Sequence, residues 1–172
     1  METLIFLVVV LAALRLAGAL GTDRFARWPV CAAYALAAML VMTGTTHFLP
    51  DSLASGPVPT HGDLVPMVPP AVPFPDFQVY LTGVLELLGA AGLVLPRTRR
   101  PAGIALTALF VALLPANVYA AVSDIPFHGA PTSPLWIRVP EQILYIAVAL
   151  CAAGLLRTAA RAKDVRAEAV TG

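Results

Sequence analysis

The sequence predicts an all-α membrane protein in which five transmembrane helices form a bundle. Of the 172 residues, 59% are apolar and only 12% are charged, against roughly 45–50% and 25% in an ordinary soluble domain. The chain also contains five mostly apolar stretches, and roughly 20 such residues in a helix cross about 30 Å of hydrocarbon. This composition excludes a soluble globular protein and predicts a multi-pass protein of the cell membrane, surrounded by the lipid bilayer.

The five apolar stretches are predicted to be helices, because they lack the alternation of barrel strands and must pair their own backbone groups in lipid. They lie near residues 3–20, 29–47, 77–95, 102–122 and 137–156. The first resembles a signal peptide in one respect, since Ala17-Gly18-Ala19 has the pattern of a cleavage site. However, the only charge before it is Glu2, where a signal peptide has a positive region, so we expect a retained helix.

The basic residues predict how the chain is threaded through the membrane. The loops after spans two and four, 48–76 and 123–136, contain no Lys or Arg. Basic residues favour the cytoplasmic side, so the N-terminus is predicted to lie outside and the C-terminus in the cytoplasm. Nine of the eleven basic residues follow spans one, three and five: Arg24, Arg27, Arg97, Arg99, Arg100, Arg157, Arg161, Lys163 and Arg166.

We divide the chain into an N-terminal helix with its cytoplasmic loop at 1–27, a membrane core at 28–156 and a basic cytoplasmic tail at 157–172. We expect the tail to lie against the anionic lipid surface rather than to dock a partner. Within the core, the outer loop 48–76 holds eight of the 16 prolines, which excludes a long helix there. Its apolar residues 64–74 indicate either a lid over the bundle or a loop among the lipid headgroups.

Only four charged side chains fall within the apolar stretches, and the cost of a charge in lipid makes each a candidate functional residue. Arg15 lies near the cytoplasmic end of span one, where its side chain can reach the headgroups. Glu86 lies about 13 Å along span three at roughly 1.5 Å per residue, near the midplane. Small residues such as Gly83 share its face and let another helix approach, so Glu86 is predicted to point into the bundle. The other two, Arg138 and Glu141, begin span five.

Polar residues of spans two, four and five are predicted to meet near the outer face, above Glu86. Asn117 follows Pro115, whose missing N–H leaves a backbone carbonyl without its usual partner. Span five contributes four residues that share one helical face, because three of them follow Arg138 by three, four and seven positions. The cluster comprises His47, Asn117, Arg138, Glu141, Gln142 and Tyr145.

Two interpretations of this cluster are open. In one, Arg138 pairs with Glu86 or Glu141 and the network only fixes the register of the helices. In the other, a pocket closed by the proline-rich loop binds a small amphipathic molecule, and Glu86, Glu141 or His47 moves protons. We expect Arg138 to lie within direct or one-water reach of Glu86.

Other classes of site are not favoured by the sequence. The formal net charge is only +1, which leaves no basic excess for a nucleic-acid partner. Cys31 and Cys151 are far apart in the chain and form no C-x-x-C motif, and His47, His61 and His128 offer no evident pair of haem ligands within the spans. We therefore predict no metal site and no redox centre intrinsic to the chain.

Four strings between residues 28 and 156 occur in the order of the predicted spans. They are Gly44-Thr45-Thr46-His47-Phe48-Leu49-Pro50, YLTGVLELLGAAGLVLPRTRRPAG from Tyr80, LLPANVYAA from Leu113 and LWIRVPEQILYI from Leu135. Together they resemble the DoxX-like family of integral membrane proteins. The resemblance implies a four-helix core to which span one and the tail are additions.

The resemblance further implies a quinone-linked subunit or accessory of a membrane oxidoreductase complex, because better described relatives are subunits of thiosulfate:quinone oxidoreductase. A quinone would be the only bound cofactor, and a partner oxidoreductase subunit is expected. His47, Glu86 or Glu141 would exchange protons with the quinone. The alternatives are a binding protein or carrier for a small hydrophobic solute and a non-redox enzyme such as a lipid isomerase. The expected ligand-binding residues are Arg138, Asn117, Gln142 and Tyr145.

The predicted threading can be tested with topology reporters. Reporters fused after Arg100 and after Gly172 are expected to be cytoplasmic, and one inserted near Pro59 external, because the basic residues lie on one side. Cytoplasmic labelling near Pro59 would contradict the threading.

Overall fold

The computed structural model describes residues 2–53, 58–127, 130–131 and 133–156. The predicted basic tail, 157–172, and His128 lie outside the described residues. Within them the chain is helical, and the one β feature is an isolated bridge between Phe127 and Ala130. The helices are α1 (Glu2–Ala19), α2 (Trp28–Thr46), α3 (His61–Leu64), α4 (Pro75–Val94), α5 (Arg99–Val122) and α6 (Leu135–Ala152).

Every described helix except the short α3 is long and apolar enough to cross a membrane. Each of the five corresponds to one predicted span, with ends that differ by a few residues. The structure therefore confirms an all-helical chain with five helices of membrane-spanning length and composition.

Four of the long helices form a closed ring. α2 packs against α4, α4 against α5, α5 against α6, and α6 back against α2. α1 lies outside this ring and packs against α2. Half of α2 is buried within the chain, against 6% of α1, so α2 is the central helix. Its small residues let its neighbours approach closely; those buried in the core are Ala32, Ala33, Ala35 and Ala37.

Arg15 holds the connection between α1 and α2. Its guanidinium donates to the carbonyl oxygens of Phe25 and Ala26 at 3.1 and 2.7 Å and lies 4.5 Å from the centroid of the Trp28 ring. The Cys31 thiol also donates to the Phe25 carbonyl, at 3.1 Å. These contacts fit the anchoring role expected for an arginine near the end of a span.

The proline-rich loop folds back onto the bundle. It is broken into short pieces by its prolines, with 3₁₀ turns at Asp51–Leu53 and Val65–Met67 on either side of α3. Thr60 and Asp63 form a capping box at the start of α3, in which the Thr60 side chain accepts from the Asp63 N–H and the Thr60 N–H donates to Asp63 Oδ2 at 2.8 Å. The Val65–Met67 turn contacts both α4 and α5, so this part of the loop covers one end of the ring. Phe74, just before α4, stays 75% exposed.

A glycine sets the spacing between α2 and α4. A Cβ atom at Gly83 would lie 2.5 Å from His47 Cβ and 2.9 Å from the ring of Phe48. His47 Cβ is attached directly to the backbone and cannot swing away, so a larger residue would have to push the helices apart. Glycine at this position therefore lets the His47 ring lie against α4.

Replacing this glycine tests the close approach. Gly83→Ala is expected to lower the free energy of unfolding by roughly 1–3 kcal/mol, the usual cost of overpacking, as measured by thermal unfolding in detergent. The matched control Val84→Ala changes a neighbouring side chain that is 43% exposed, and should cost less than about 0.5 kcal/mol. Equal losses in both variants would contradict the role of Gly83.

Candidate functional site

A buried cluster of polar side chains joins α2 to α4. We call it the histidine cluster; it comprises Thr43, His47, Thr82 and Glu86. Glu86 is only 7% exposed, so it points into the bundle, as the small residues on its face predict. The Thr43 hydroxyl donates to Glu86 Oε2 at 2.8 Å, and His47 Nε2 lies 3.8 Å from Glu86 Oε1. Both carboxyl oxygens therefore lie beside polar groups from the end of α2.

The contacts of His47 determine which ring nitrogen carries a proton. Nδ1 lies 2.7 Å from the carbonyl oxygen of Val79, and a carbonyl oxygen can only accept, so Nδ1 must donate. In the neutral ring, Nε2 then carries a lone pair and lies beside Glu86. His47 Nε2 and Glu86 Oε1 are therefore two neighbouring proton acceptors that lie beyond hydrogen-bond distance of each other.

The surroundings of His47 favour the neutral form of its ring. His47 directly follows the last residue of α2. Burial lowers the pKa of its imidazole below the ordinary value, the hydrogen bond to the Val79 carbonyl partly raises it again, and the nearby His61 lowers it. The net lowering favours the neutral ring, whose Nε2 is free to accept. Proton transfer between Nε2 and Glu86 Oε1 would require the two atoms to approach from 3.8 Å to roughly 2.6–3.2 Å.

His61 links the histidine cluster to the exposed surface of the proline-rich loop. Its Nδ1 donates to the carbonyl oxygen of His47 at 2.8 Å, and its Nε2 lies 3.2 Å from Asp76 Oδ1. The His61 ring stacks on Tyr80 with centroids 4.1 Å apart, and the Asp76 side chain is 72% exposed. Sequence reasoning missed this link, because the fold of the loop brings His61 to α4 and no helical spacing signals it.

A second cluster joins α5 to α6. We call it the arginine cluster; it comprises Asn117, Arg138 and Gln142. Arg138 donates from Nη1 to Asn117 Oδ1 and from Nε to the Ser133 carbonyl, both at 3.2 Å. Asn117 Nδ2 donates to Gln142 Oε1 at 3.4 Å, and the buried Gln142 amide donates to the Phe110 carbonyl at 2.6 Å. The chain of donors and acceptors thus runs from the N-terminal part of α6 into the bundle.

Glu141 and Tyr145 lie beside the arginine cluster on α6. Glu141 interacts electrostatically with both Arg138 and Tyr145. The Tyr145 hydroxyl lies 3.1 Å from the Thr3 hydroxyl, which ties α6 to α1, and its ring packs against Phe110 with centroids 6.1 Å apart. These contacts place the predicted ligand-binding residues of α5 and α6 in one neighbourhood.

Arg138 and Glu86 make no direct contact, so the direct form of the predicted direct or one-water reach is wrong. Among the described residues, the polar contacts of the Glu86 carboxyl group are made to Thr43 and His47, whereas Arg138 bonds to Asn117. The order of the helices explains the difference, because α6 adjoins α5 and α2 while Glu86 lies on α4 and faces α2. The expected single outer cluster is therefore two clusters on two helix pairs.

An apolar groove with a volume of about 210 Å³ lies between α4 and α5. Leu85 and Leu88 of α4 form part of its wall, next to Glu86 in the chain but on a different side of the helix. No residue of the two polar clusters lines it. The remaining lining residues are Gly89, Ala102, Ala105, Leu106 and Leu109.

The described residues contain no group of three or more His, Cys, Asp or Glu side chains that is placed to hold a metal ion. The two cysteines within this part of the chain, Cys31 and Cys151, are not joined by a disulfide.

Comparison with known proteins assigns the chain to one family. Residues 36–153 match the family described as "Domain of unknown function (DUF8561)", and the chain belongs to it. The match begins within α2 and ends just after α6, so it covers both polar clusters and the four-helix ring except the first part of α2. No curated protein and no solved structure matches the chain.

The buried amide of the arginine cluster can be tested by mutation. Gln142→Leu is expected to lower the free energy of unfolding by about 1–3 kcal/mol, because the Phe110 carbonyl would lose its partner in a buried place. Thermal unfolding in detergent measures the loss. Ile143→Leu, at the neighbouring exposed position, is the control and should cost less than about 0.5 kcal/mol. A Gln142→Leu variant as stable as this control would contradict the arrangement.

Proposed function

We propose that this DUF8561 protein is a DoxX-like multi-pass membrane protein that serves as a quinone-linked subunit or accessory of a membrane oxidoreductase complex. The observation that carries the proposal is the buried pair of His47 and Glu86. The bond from His47 Nδ1 to the Val79 carbonyl leaves Nε2 and the Glu86 carboxyl group to exchange one proton. A bound quinone would supply the redox chemistry, in which one proton is taken up or released with each electron.

The donor groups fit a quinone, whose two oxygens need hydrogen-bond donors in otherwise apolar surroundings. The His47–Glu86 pair offers a donor that can lose its proton. The arginine cluster offers hydrogen-bond donors that keep their protons, because a guanidinium and an amide do not titrate in the physiological range. The groove between α4 and α5 offers an apolar wall for a hydrocarbon chain.

Each predicted residue has a role in this proposal. His47 and Glu86 move the proton, with Glu141 as a second acid. His61 and Asp76 extend the polar path from His47 towards the exposed loop. The electrons come from a partner oxidoreductase subunit. The residues that hold the quinone oxygens or border its ring are Arg138, Asn117, Gln142 and Tyr145.

We further propose that the chain lies in the cell membrane with its N-terminus outside and its C-terminus in the cytoplasm. The distribution of basic residues supports this orientation. Arg24 and Arg99 both lie next to Tyr34, so the loops that follow α1 and α4 are at one end of the bundle. The histidine cluster is at the other end of α2 and would therefore face the outside.

One observation favours a second candidate function, a binding protein or carrier for a small hydrophobic solute. The groove between α4 and α5 is lined only by apolar or small residues, as expected for a hydrocarbon ligand that makes no hydrogen bonds. A non-redox lipid isomerase is a variant of the same proposal, in which Glu86 and His47 would move protons on the lipid.

Mass spectrometry of the quinones and lipids that copurify with the detergent-solubilised chain tests the proposal. The wild-type chain is expected to retain a quinone. His47→Gln and Glu86→Gln should each retain about tenfold less, since a lost hydrogen bond to a titratable buried group is worth roughly 1.5 kcal/mol. Asp124→Asn is the matched control, because it changes an exposed acid to an amide, and it should retain the wild-type amount.

Absence of quinone from the wild-type chain would contradict the proposal. An apolar solute found in its place would support the carrier. Equal retention by Glu86→Gln and the wild-type chain would show that the pair does not serve the ligand.

A further inference from the structure

We propose that the end of the bundle opposite the histidine cluster binds the phosphate of an anionic phospholipid headgroup between Arg24 and Arg99. The two arginines lie over the ring of Tyr34, with their guanidinium carbons 4.7 and 5.8 Å from its centroid. Phosphate is one of the two groups, with carboxylate, that the guanidinium fork recognises by paired hydrogen bonds. We call this arrangement the arginine–tyrosine site; it comprises Arg24, Tyr34 and Arg99.

Arg99 is held in a fixed position. Its Nε donates to the Leu93 carbonyl at 2.9 Å and its Nη2 to the Val94 carbonyl at 3.2 Å, so it closes the last turn of α4. Arg24 is exposed and reaches the same ring from the loop before α2. The tyrosine ring itself is held edge-on by Phe25, with centroids 5.7 Å apart.

The charges of this site are not balanced by the described part of the chain. Arg24 and Arg99 repel each other electrostatically, and no described carboxylate forms an ion pair with either one. Two cations brought to one aromatic ring indicate a place where an anion is taken up. A phosphate group would bridge them and remove their repulsion.

The Tyr34 hydroxyl is an independent sign of an additional ligand. Its oxygen is buried and has no hydrogen-bond partner within the described residues. A buried hydroxyl normally has a partner, and a phosphate oxygen would accept from it. The unpaired donor and the unbalanced charges therefore point to the same ligand.

The surroundings indicate that the phosphate belongs to a lipid. Trp28, which is 56% exposed, stacks with Arg15 at the same end of the bundle. Tryptophan and arginine mark the depth of the headgroups in membrane proteins. Arg99 is the first residue of α5, at the end of a membrane-spanning helix. The arginine–tyrosine site therefore lies at the depth of the headgroups.

Native mass spectrometry of the full-length chain, titrated with phosphatidylglycerol or phosphatidylcholine, tests the inference. Arg24→Gln is expected to weaken phosphatidylglycerol binding about tenfold, because the variant loses a charge-assisted hydrogen bond to the phosphate. Tyr34→Phe keeps the ring and loses the hydroxyl, and should weaken binding about threefold. Neither variant removes a bond that Arg99 makes to α4. Arg100→Gln, which removes an exposed charge next to the site, is the control and should change binding by less than about twofold.

Three outcomes would overturn the inference. Equal weakening by Arg24→Gln and Arg100→Gln would show a general attraction of basic surface to anionic lipid. Equal binding of phosphatidylcholine and phosphatidylglycerol by the wild-type chain would exclude recognition of an anionic headgroup. Displacement of phosphatidylglycerol by an equal concentration of inorganic phosphate would assign the site to a soluble anion.

Discussion

The hydrogen bond from His47 Nδ1 to the Val79 carbonyl is the contact on which the proposed chemistry depends. One face of α4 supplies everything that this imidazole needs: the Val79 carbonyl fixes the tautomer, Gly83 leaves room for the ring, and Glu86 lies beside Nε2. These three residues are four and three positions apart, so they repeat once per helical turn. If Nδ1 did not donate, Nε2 would carry the proton in the neutral ring and could not accept one from Glu86.

The two ends of the bundle differ in chemistry, and the proposals for each follow from that difference. At one end, His47 and Glu86 form a titratable pair that His61 connects to the exposed loop. At the other, arginines that keep their charge gather around Tyr34. The first arrangement suits proton transfer, and the second suits a permanent anion. The ring of four helices carries the histidine cluster, Tyr34 and Arg99, and most of the ring lies within the family region, residues 36–153.

The sequence predicted the five long helices and the inward direction of Glu86, because both depend on local properties: apolar length and the small residues on one helical face. It did not predict which group would meet Glu86. That depends on the order of the helices around the ring, which places α2 beside α4 and leaves Arg138 on α6 with Asn117 of α5. The position of His61 depends on the folded proline-rich loop, for which the sequence carries no periodic signal.

Nitrogen-15 NMR of histidine-labelled protein in lipid nanodiscs tests the central claim most directly, because the two ring nitrogens of a histidine have different shifts with and without a proton. The His47 signals are identified as those lost in His47→Gln. We predict that Nδ1 keeps its proton throughout the titration, that only Nε2 gains or loses one, and that Glu86→Gln shifts the midpoint of this change. A neutral His47 with the proton on Nε2 would contradict the account.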